Sequence, residues 1–189
     1  GISVLYFKAL YPHARISAFE PSPGAFGKLS ENIGRNRLPD VAAHPVALAG
    51  RAGELEFFVP PDNPGNLCMS AVAGRTPGGE PVRVRADLLS RHVDGPVDLV
   101  KMDIEGAELA VLEEMEAAGR LAEVRRMIVE YHHHLDPAED RLSRLLTLLE
   151  RNGFGYHLSC PDRPPFSPGR FQDVNVHAYS RRLLPGQKP

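Results

Sequence analysis

An apolar strand that ends abruptly in charged residues limits most strongly what this chain can fold into. Residues 97–108 read Val-Asp-Leu-Val-Lys-Met-Asp-Ile-Glu-Gly-Ala-Glu. A short apolar run of this kind is typical of a strand buried in a parallel sheet. Ligands of open α/β sheets bind just beyond the carboxyl ends of such strands. The pattern therefore predicts an α/β fold with Asp103 and Glu105 at a ligand-binding edge.

The charges around this strand end call for two different explanations. A helix dipole stabilises carboxylates at its N-terminus, which accounts for Glu105 and Glu108 as acids at the start of a helix. Lys101 and Asp103 lie within or at the end of the strand, where charges are costly unless they are paired. We therefore expect Lys101 to pair with Asp103 on the same strand face.

Composition narrows the class of protein. A chain of 189 residues is long enough for one domain with a real core. Its net charge of -2 gives no electrostatic reason to expect nucleic acid or a membrane surface as a partner. No apolar run approaches the roughly 20 residues that a membrane span needs. Two cysteines are too few for a disulfide framework, and free thiols predict a cytoplasmic protein.

Strand-like and helix-like segments alternate along the chain. Strands are predicted at residues 15–19, 41–48, 54–59, 82–85, 97–103, 124–131, 155–159 and 174–179. Helical segments are predicted at residues 1–11, from Ser22 or Pro23 onward, at 86–92, after the charged cluster to about 118, and at 138–152 with Gly153 as the stop. Pro45 indicates an irregular position in the strand at 41–48. The alternation predicts a doubly wound, mostly parallel sheet, whose last two strands form an antiparallel hairpin at the edge.

Two motifs resemble one enzyme family. Residues 101–108 match Lys-x-Asp-x-Glu-Gly-x-Glu, the signature of the FkbM-type methyltransferases, which use S-adenosylmethionine (SAM). Residues 19–23 match the family's Phe-Glu-Pro-x-Pro motif at the end of its second strand. The resemblance implies the Rossmann-like fold of class I SAM-dependent methyltransferases over residues 1–189 as a single domain.

The resemblance also implies how the cofactor is bound. Glu20, followed by Pro21, ends a strand and is expected to accept hydrogen bonds from the ribose hydroxyls. The other interpretation of Glu20 is a helix cap or a solvated turn. Ala47 lies in a small-residue turn, residues 46–50, which resembles the family's turn near the adenine, although a tight turn alone would look the same. Asp103 is expected to contact the methionine amino group or the acceptor.

The family's glycine-rich loop is nearly absent from this sequence. Gly1 and Ile2 resemble the end of the motif Asp-x-Gly-x-Asn-x-Gly and the start of the helix that follows it. The domain is therefore expected to lack its first strand and most of that loop. In the family this strand lies between those ending at Glu20 and Asp103, so its loss is expected to leave two inner edges unpaired.

Candidates for the chemistry follow the strand predicted at 124–131. Glu-x-His in this place also recurs in the family. His132 is the expected general base, because imidazole titrates near neutrality. Glu130 would orient His132 or bind substrate hydroxyls, and Asp103 would act beside them. Asp103, Glu130 and His132 are an alternative site for Mg²⁺ or Mn²⁺, but the prediction assigns no metal, and His133 is expected to be a surface residue.

The resemblance favours O-methylation of a hydroxyl on a small metabolite, natural product or sugar. Nitrogen and carboxylate methylation remain open, and the oligomeric state is not predicted. Residues 60–81 and 161–169, both rich in proline and glycine, are expected either to cover the acceptor pocket or to be plain surface loops. One alternative is a degenerate methyltransferase-like domain that serves as a binding or scaffold module. Another is a dinucleotide-dependent oxidoreductase, but that function does not explain the eight-residue charged motif at 101–108.

Overall fold

The chain divides into two units. A computed structural model describes residues 1–59, 80–136, 139–160 and 172–182. The first unit comprises residues 1–48 and 52–87, and the second comprises residues 49–51 and 88–189. Apart from Glu80 and Pro81, the segments expected to cover an acceptor pocket lie outside the described residues.

The described part of the first unit contains two helices and five strands in two sheets. The elements are α1 (Ile2–Leu10), β1 (Ile16–Phe19), α2 (Pro23–Arg35), β2 (Val41–His44), β3 (Ala47–Leu48), β4 (Gly53–Val59) and β5 (Glu80–Asp87). β1 and β2 pair in parallel as one sheet. The other sheet has the order β3-β5-β4, in which β5 is parallel to β3 and antiparallel to β4.

Helix α2 begins where the sequence predicts. Ser22 is its N-cap, and the Ser22 hydroxyl accepts a hydrogen bond from the backbone N–H of Ala25. Pro23 occupies the first helical position, where its missing N–H costs nothing. This part of the prediction is confirmed, because local capping chemistry determines it.

Helix α1 buries a different face from the one that its apolar residues indicate. Val4 and Lys8 are its buried residues, and the Lys8 ammonium donates to the backbone carbonyls of Pro12 (2.9 Å) and Ala14 (2.7 Å). These bonds compensate for burying the charge. The apolar residues that remain exposed are Ile2, Tyr6 and Leu10.

The strand predicted over residues 41–48 is in fact two strands, so this prediction is wrong. β2 ends at His44, β3 begins at Ala47, and the two belong to different sheets. Pro45 lies in the break between them. Because proline has no N–H to donate to a sheet ladder, the chain leaves one sheet at this point and enters another.

The second unit contains the charged cluster and a four-stranded sheet. Its elements are β6 (Val100–Met102), α3 (Glu108–Ala117), β7 (Arg126–His133), α4 (Leu142–Arg151), β8 (Phe154–Ser159) and β9 (Gln172–Ser180), with short 3₁₀ helices at Leu89–His92 and Leu121–Glu123. The strand order is β6-β7-β9-β8. β6 and β7 are parallel, whereas β9 is antiparallel to both of its neighbours.

One face of this sheet forms the core of the second unit. Alternate residues of β7 and β9 are buried on it, namely Met127, Val129, Tyr131, Val174, Val176 and Ala178. Helices α3 and α4 contribute fully buried residues, among them Leu112, Met115, Leu145 and Leu149. Each such aliphatic side chain stabilises the fold by about 1.5–3 kcal/mol. Glu130 and His132 of β7 lie on the opposite face.

The α/β class is confirmed, but the described strands do not form one mostly parallel sheet. They form three sheets, two of which are mixed. The predicted hairpin of the last two strands is present, but β9 inserts next to β7 and makes the sheet mixed. β1 and β6 are both edge strands in the order of their sheets. Within the described ranges, no helix combines the length and the apolarity that crossing a bilayer requires.

Candidate active site

The loop between β6 and α3 turns the chain through two consecutive residues with positive φ. Glu105 has a φ of 58° and Gly106 a φ of 106°. A Cβ atom on Gly106 would collide with Cδ1 of Leu135. This position therefore favours glycine for its backbone conformation.

Glu108 is the first residue of α3, and its side chain is completely buried. One carboxylate oxygen, Oε1, accepts hydrogen bonds from the backbone N–H groups of Ile104 (3.3 Å) and Gly106 (3.0 Å). The same oxygen lies 2.7 Å from Nδ1 of His132. The other oxygen, Oε2, is buried and has no hydrogen-bond partner among the described residues.

His132 connects this buried acid to the acids at the end of β6. It lies on β7 opposite Asp173 of β9 and is only 5% exposed. While Nδ1 contacts Glu108, the other ring nitrogen, Nε2, lies 3.5 Å from Oε2 of Glu105 and 3.9 Å from Oδ1 of Asp103. The two nitrogens of the imidazole thus contact different carboxylates.

The expected pairing of Lys101 with Asp103 is confirmed. Nζ of Lys101 lies 3.3 Å from Oδ2 of Asp103, and both side chains are more than a third exposed. An ion pair this exposed contributes at most about 1 kcal/mol to stability. Its effect is to orient the Asp103 carboxylate while leaving that group open to solvent.

Glu130 lies in an environment that disfavours its charge. Burial raises the pKa of the Glu130 carboxyl, and the nearby negative charges of Asp103 and Asp173 raise it further. His132 and Lys101 act in the opposite direction but do not outweigh these effects. The folded protein is therefore destabilised whenever Glu130 is ionised.

We expect the substitution Glu130→Gln to raise the melting temperature at pH 7–8. Because the folded-state pKa is raised, the stability associated with protonated Glu130 is present at low pH and is lost as the pH rises through that pKa. The gain from glutamine should therefore shrink as the pH is lowered. Thermal melts between pH 4 and 8 measure this, with Glu123→Gln as a control outside the cluster. A gain that is constant across the pH range would contradict the assignment.

The histidines that follow His132 contact a different acid. β7 extends through His133, two residues beyond the predicted end, and His134 turns out of the strand with a φ of 57°. The rings of His133 and His134 stack at 3.8 Å, and Nε2 of His134 lies 2.6 Å from Oδ1 of Asp140. Burial lowers the pKa of His133, and the neighbouring His134 lowers it further. His133 is thus largely covered, and the prediction that it is a surface residue is wrong.

Two groups of side chains around His132 have the chemistry of a divalent-cation site. Asp103, Glu105 and His132 form one group, and Glu130, His132 and Asp173 form the other, each with its potential ligand atoms within 4.8 Å of one another. Carboxylate oxygens and imidazole nitrogen are ligands for Mg²⁺ or Mn²⁺. The sequence assigns no metal here, and that assignment stays a prediction.

Glu20, in the first unit, directly follows β1. Its backbone N–H donates to the carbonyl of His44 at 3.1 Å, and its Oε1 accepts from the backbone N–H of Ser22 at 2.9 Å. The contact with Ser22 closes a local turn, which was the alternative to ribose binding in the interpretation of the sequence. Among the described residues, the hydrogen bond of the Glu20 side chain is the one that Oε1 makes with Ser22.

The other predicted cofactor residues of the first unit differ in exposure. Gly1 is exposed and precedes α1, and a Cβ atom there would approach Cα of Leu29 to 3.1 Å. Ile2 is 80% exposed. Ala47 is buried and packs with Val84. Pro21, between Glu20 and the N-cap of α2, is partly exposed.

Sequence reasoning missed two members of the cluster. It explained Glu108 as an acid at a helix N-terminus, which is correct for its position but gives no hint of its contact with His132. The two residues are 24 positions apart, and no spacing rule connects them. Asp173 joins the cluster through the pairing of β7 with β9, and no local signal marks it.

Comparison with known proteins identifies relatives that are methyltransferases. Methyltransferase sdnD of Sordaria araneosa is 31% identical, and the alignment covers 93% of this chain and 77% of that protein. Methyltransferase 1 of Beauveria bassiana is 28% identical, with 87% and 72% covered. Hexuronic acid methyltransferase AglP of Haloferax volcanii is 32% identical, with 74% and 59% covered.

A solved structure supports the fold. The crystal structure of methyltransferase FkbM from Methylobacillus flagellatus is similar, with a TM-score of 0.60 and 15% identity over 95% of this chain and 40% of that one. The sequence profile of the methyltransferase FkbM domain matches residues 3–156, well over half of the chain. The chain therefore belongs to the FkbM methyltransferase family.

Proposed function

We propose that this chain transfers a methyl group from S-adenosylmethionine to a hydroxyl oxygen of a small acceptor, and that His132 accepts the hydroxyl proton. The observation that carries the proposal is the orientation of the His132 ring. Nδ1 contacts the buried Glu108, and Nε2 is on the side of Asp103 and Glu105. A buried imidazole with one nitrogen fixed and the other directed at an acidic strand end is suited to accept a proton.

The reaction requires a nucleophilic oxygen and a place for its proton. Bound SAM would supply an electrophilic methyl carbon on a positively charged sulfur, whose bond to that carbon would break with its electron pair left on sulfur as the acceptor oxygen bonds to the carbon. Nε2 of His132 would accept the hydroxyl proton. Glu105 and Asp103, 3.5 and 3.9 Å from Nε2, would stabilise the imidazolium that forms. General base catalysis of this kind contributes about 10²–10⁴-fold in rate.

Residues of the first unit have chemistry that fits the cofactor. The carboxylate of Glu20 would accept from a ribose hydroxyl, and Pro21 would border it. The terminal residues Gly1 and Ile2 and the buried Ala47 belong to the same proposed binding region. Asp103 is a candidate for the methionine amino group, because its carboxylate is accessible and carries the opposite charge.

The acceptor class is proposed from chemistry and from relatives. Glu130 and Asp173, on the same sheet face as His132, offer oxygen atoms that accept hydrogen bonds from hydroxyl groups. Hydroxyl-rich acceptors such as sugars suit such a surface, and the name of the relative AglP refers to a sugar acid as its substrate. We propose a sugar, natural product or other small metabolite as the acceptor, handled in the cytoplasm without nucleic acid or membrane as a partner.

Transfer of labelled methyl groups tests the function. The full-length protein is incubated with SAM labelled in its methyl group and with panels of hydroxylated, amino and carboxylate acceptors. We expect labelled ethers from hydroxylated acceptors, equally in the presence of a chelator, since no metal is proposed. Transfer to nitrogen or carboxylate acceptors alone would contradict O-methylation. Absence of both SAM binding and methyl transfer would favour the binding-module alternative, a degenerate domain that has lost SAM binding.

A further inference from the structure

We propose that Glu108 is the positioning residue of the active site: it fixes the proton of His132 on Nδ1 and so leaves Nε2 as the atom that accepts the substrate proton. The catalytic role of Glu108 rests on the proposed function. The tautomer of His132, by contrast, can be measured without any acceptor.

The hydrogen bonds at Oε1 of Glu108 determine which group donates. Oε1 already accepts from the backbone N–H groups of Ile104 and Gly106. An oxygen that accepts from two donors is not itself the donor to a third group, so the 2.7 Å contact runs from Nδ1–H of His132 to Oε1. In neutral His132 the proton is therefore on Nδ1, and Nε2 carries the lone pair.

Hydrogen bonds and the start of a helix surround the fully buried carboxylate of Glu108. Burying an ionised carboxylate is costly unless hydrogen bonds and opposite charge compensate for it. Two backbone N–H groups of the β6–α3 loop supply such bonds, and the position at the start of α3 places the carboxylate at the positive end of a helix dipole. The positive φ at Glu105 and Gly106 creates the turn from which the Gly106 N–H donates to Oε1.

The arrangement also fixes the direction of the imidazole. If the ring were flipped about its Cβ–Cγ bond, Cδ2 would take the place of Nδ1 and Cε1 that of Nε2, so Glu108 would lose its third donor and neither nitrogen would face its present partners. Burial of His132 leaves little room for such a flip. Glu108 therefore acts on catalysis through His132, and it does not need to contact either substrate.

Nuclear magnetic resonance of the ¹⁵N-labelled protein tests the assignment directly. Long-range ¹H–¹⁵N correlations report which ring nitrogen of His132 carries the proton. We expect Nδ1–H in the wild type and in Glu108→Gln, whose amide oxygen can still accept, and loss of the fixed Nδ1–H in Glu108→Ala. Glu113→Gln is the matched control, because Glu113 is a partly exposed residue of the same helix that pairs with Arg144, and it should leave the His132 signals unchanged.

Kinetics separate positioning from general stability. In folded Glu108→Ala we expect kcat to fall by at least about 10-fold, and by no more than the loss of the general base itself would cause, which is about 10²–10⁴-fold. The KM for SAM should stay nearly unchanged. We expect Glu108→Gln to recover part of the loss.

Each result either supports or overturns the inference. A wild-type His132 with its proton on Nε2 overturns it, even if Glu108→Ala fails to fold. Unchanged kcat in folded Glu108→Ala overturns the catalytic part. If Nδ1–H is found but His132 variants transfer methyl groups normally, the proposed general base is wrong and the positioning of the ring is still correct.

Discussion

Replacing His132 with glutamine is expected to lower kcat for methyl transfer by about 10²–10⁴-fold, because the hydroxyl proton loses its acceptor. This corresponds to about 3–5 kcal/mol of transition-state stabilisation. Glutamine is close in size to histidine, and its amide N–H can still donate to the carboxylate of Glu108. We therefore expect the variant to fold, and a thermal melt checks this.

Affinity for SAM separates a catalytic role of His132 from a binding role. We expect the Kd of His132→Gln for SAM to stay close to the wild-type value. His177→Gln, an exposed histidine on the same sheet face, is the matched control and should retain wild-type kcat. A parallel loss of kcat and SAM affinity in His132→Gln would show that this residue binds the cofactor and is not the base.

Replacing Gly106 with alanine is expected to lower the free energy of unfolding by about 1–3 kcal/mol. The φ of 106° strains any residue with a Cβ atom, and the flexible end of the Leu135 side chain would also have to move away from that atom. Because the N–H of Gly106 also donates to Glu108, the variant should lose activity beyond its loss of stability.

Alanine substitutions at two other glycines serve as controls in chemical denaturation. Gly119 has a φ of 71° but open space around it, so Gly119→Ala should cost only the backbone strain of about 1–2 kcal/mol. Gly95 does not have a positive φ and has open space around it, so Gly95→Ala should change stability by less than about 0.5 kcal/mol. A loss at Gly106 no greater than at Gly95 would contradict the backbone strain at Gly106.

Local signals in the sequence predicted the elements that depend on local chemistry. Ser22 and Pro23 start α2, and Gly153, with a φ of 78°, follows the end of α4 as predicted. Tertiary contacts override such signals elsewhere. Lys8 is buried on α1 because its ammonium group donates hydrogen bonds to two backbone carbonyls beyond the helix. No pattern of apolar spacing predicts a buried lysine at this position.

The candidate site was predictable only in part for the same reason. The apolar strand followed by charges identified Asp103 and its partner Lys101, and the resemblance to a family directed attention to Glu130 and His132. The contact of His132 with Glu108 depends on how the β6–α3 loop folds back, which is a property of three-dimensional packing. The prediction of a single mostly parallel sheet was wrong, in part because β9 pairs with β7 in the antiparallel direction. Local sequence patterns do not determine which strands become neighbours in a sheet.

Binding of SAM is the claim on which the proposed function depends. Isothermal titration calorimetry of the full-length protein measures it directly, with Glu20→Ala as the test variant and Glu31→Ala, an exposed acid of α2, as the control. We predict that the wild type and the control bind SAM at one site, and that Glu20→Ala binds it about 10–100-fold more weakly, because a carboxylate that accepts from ribose is lost. Absence of SAM binding by the wild type, or equal affinity in Glu20→Ala, would contradict it.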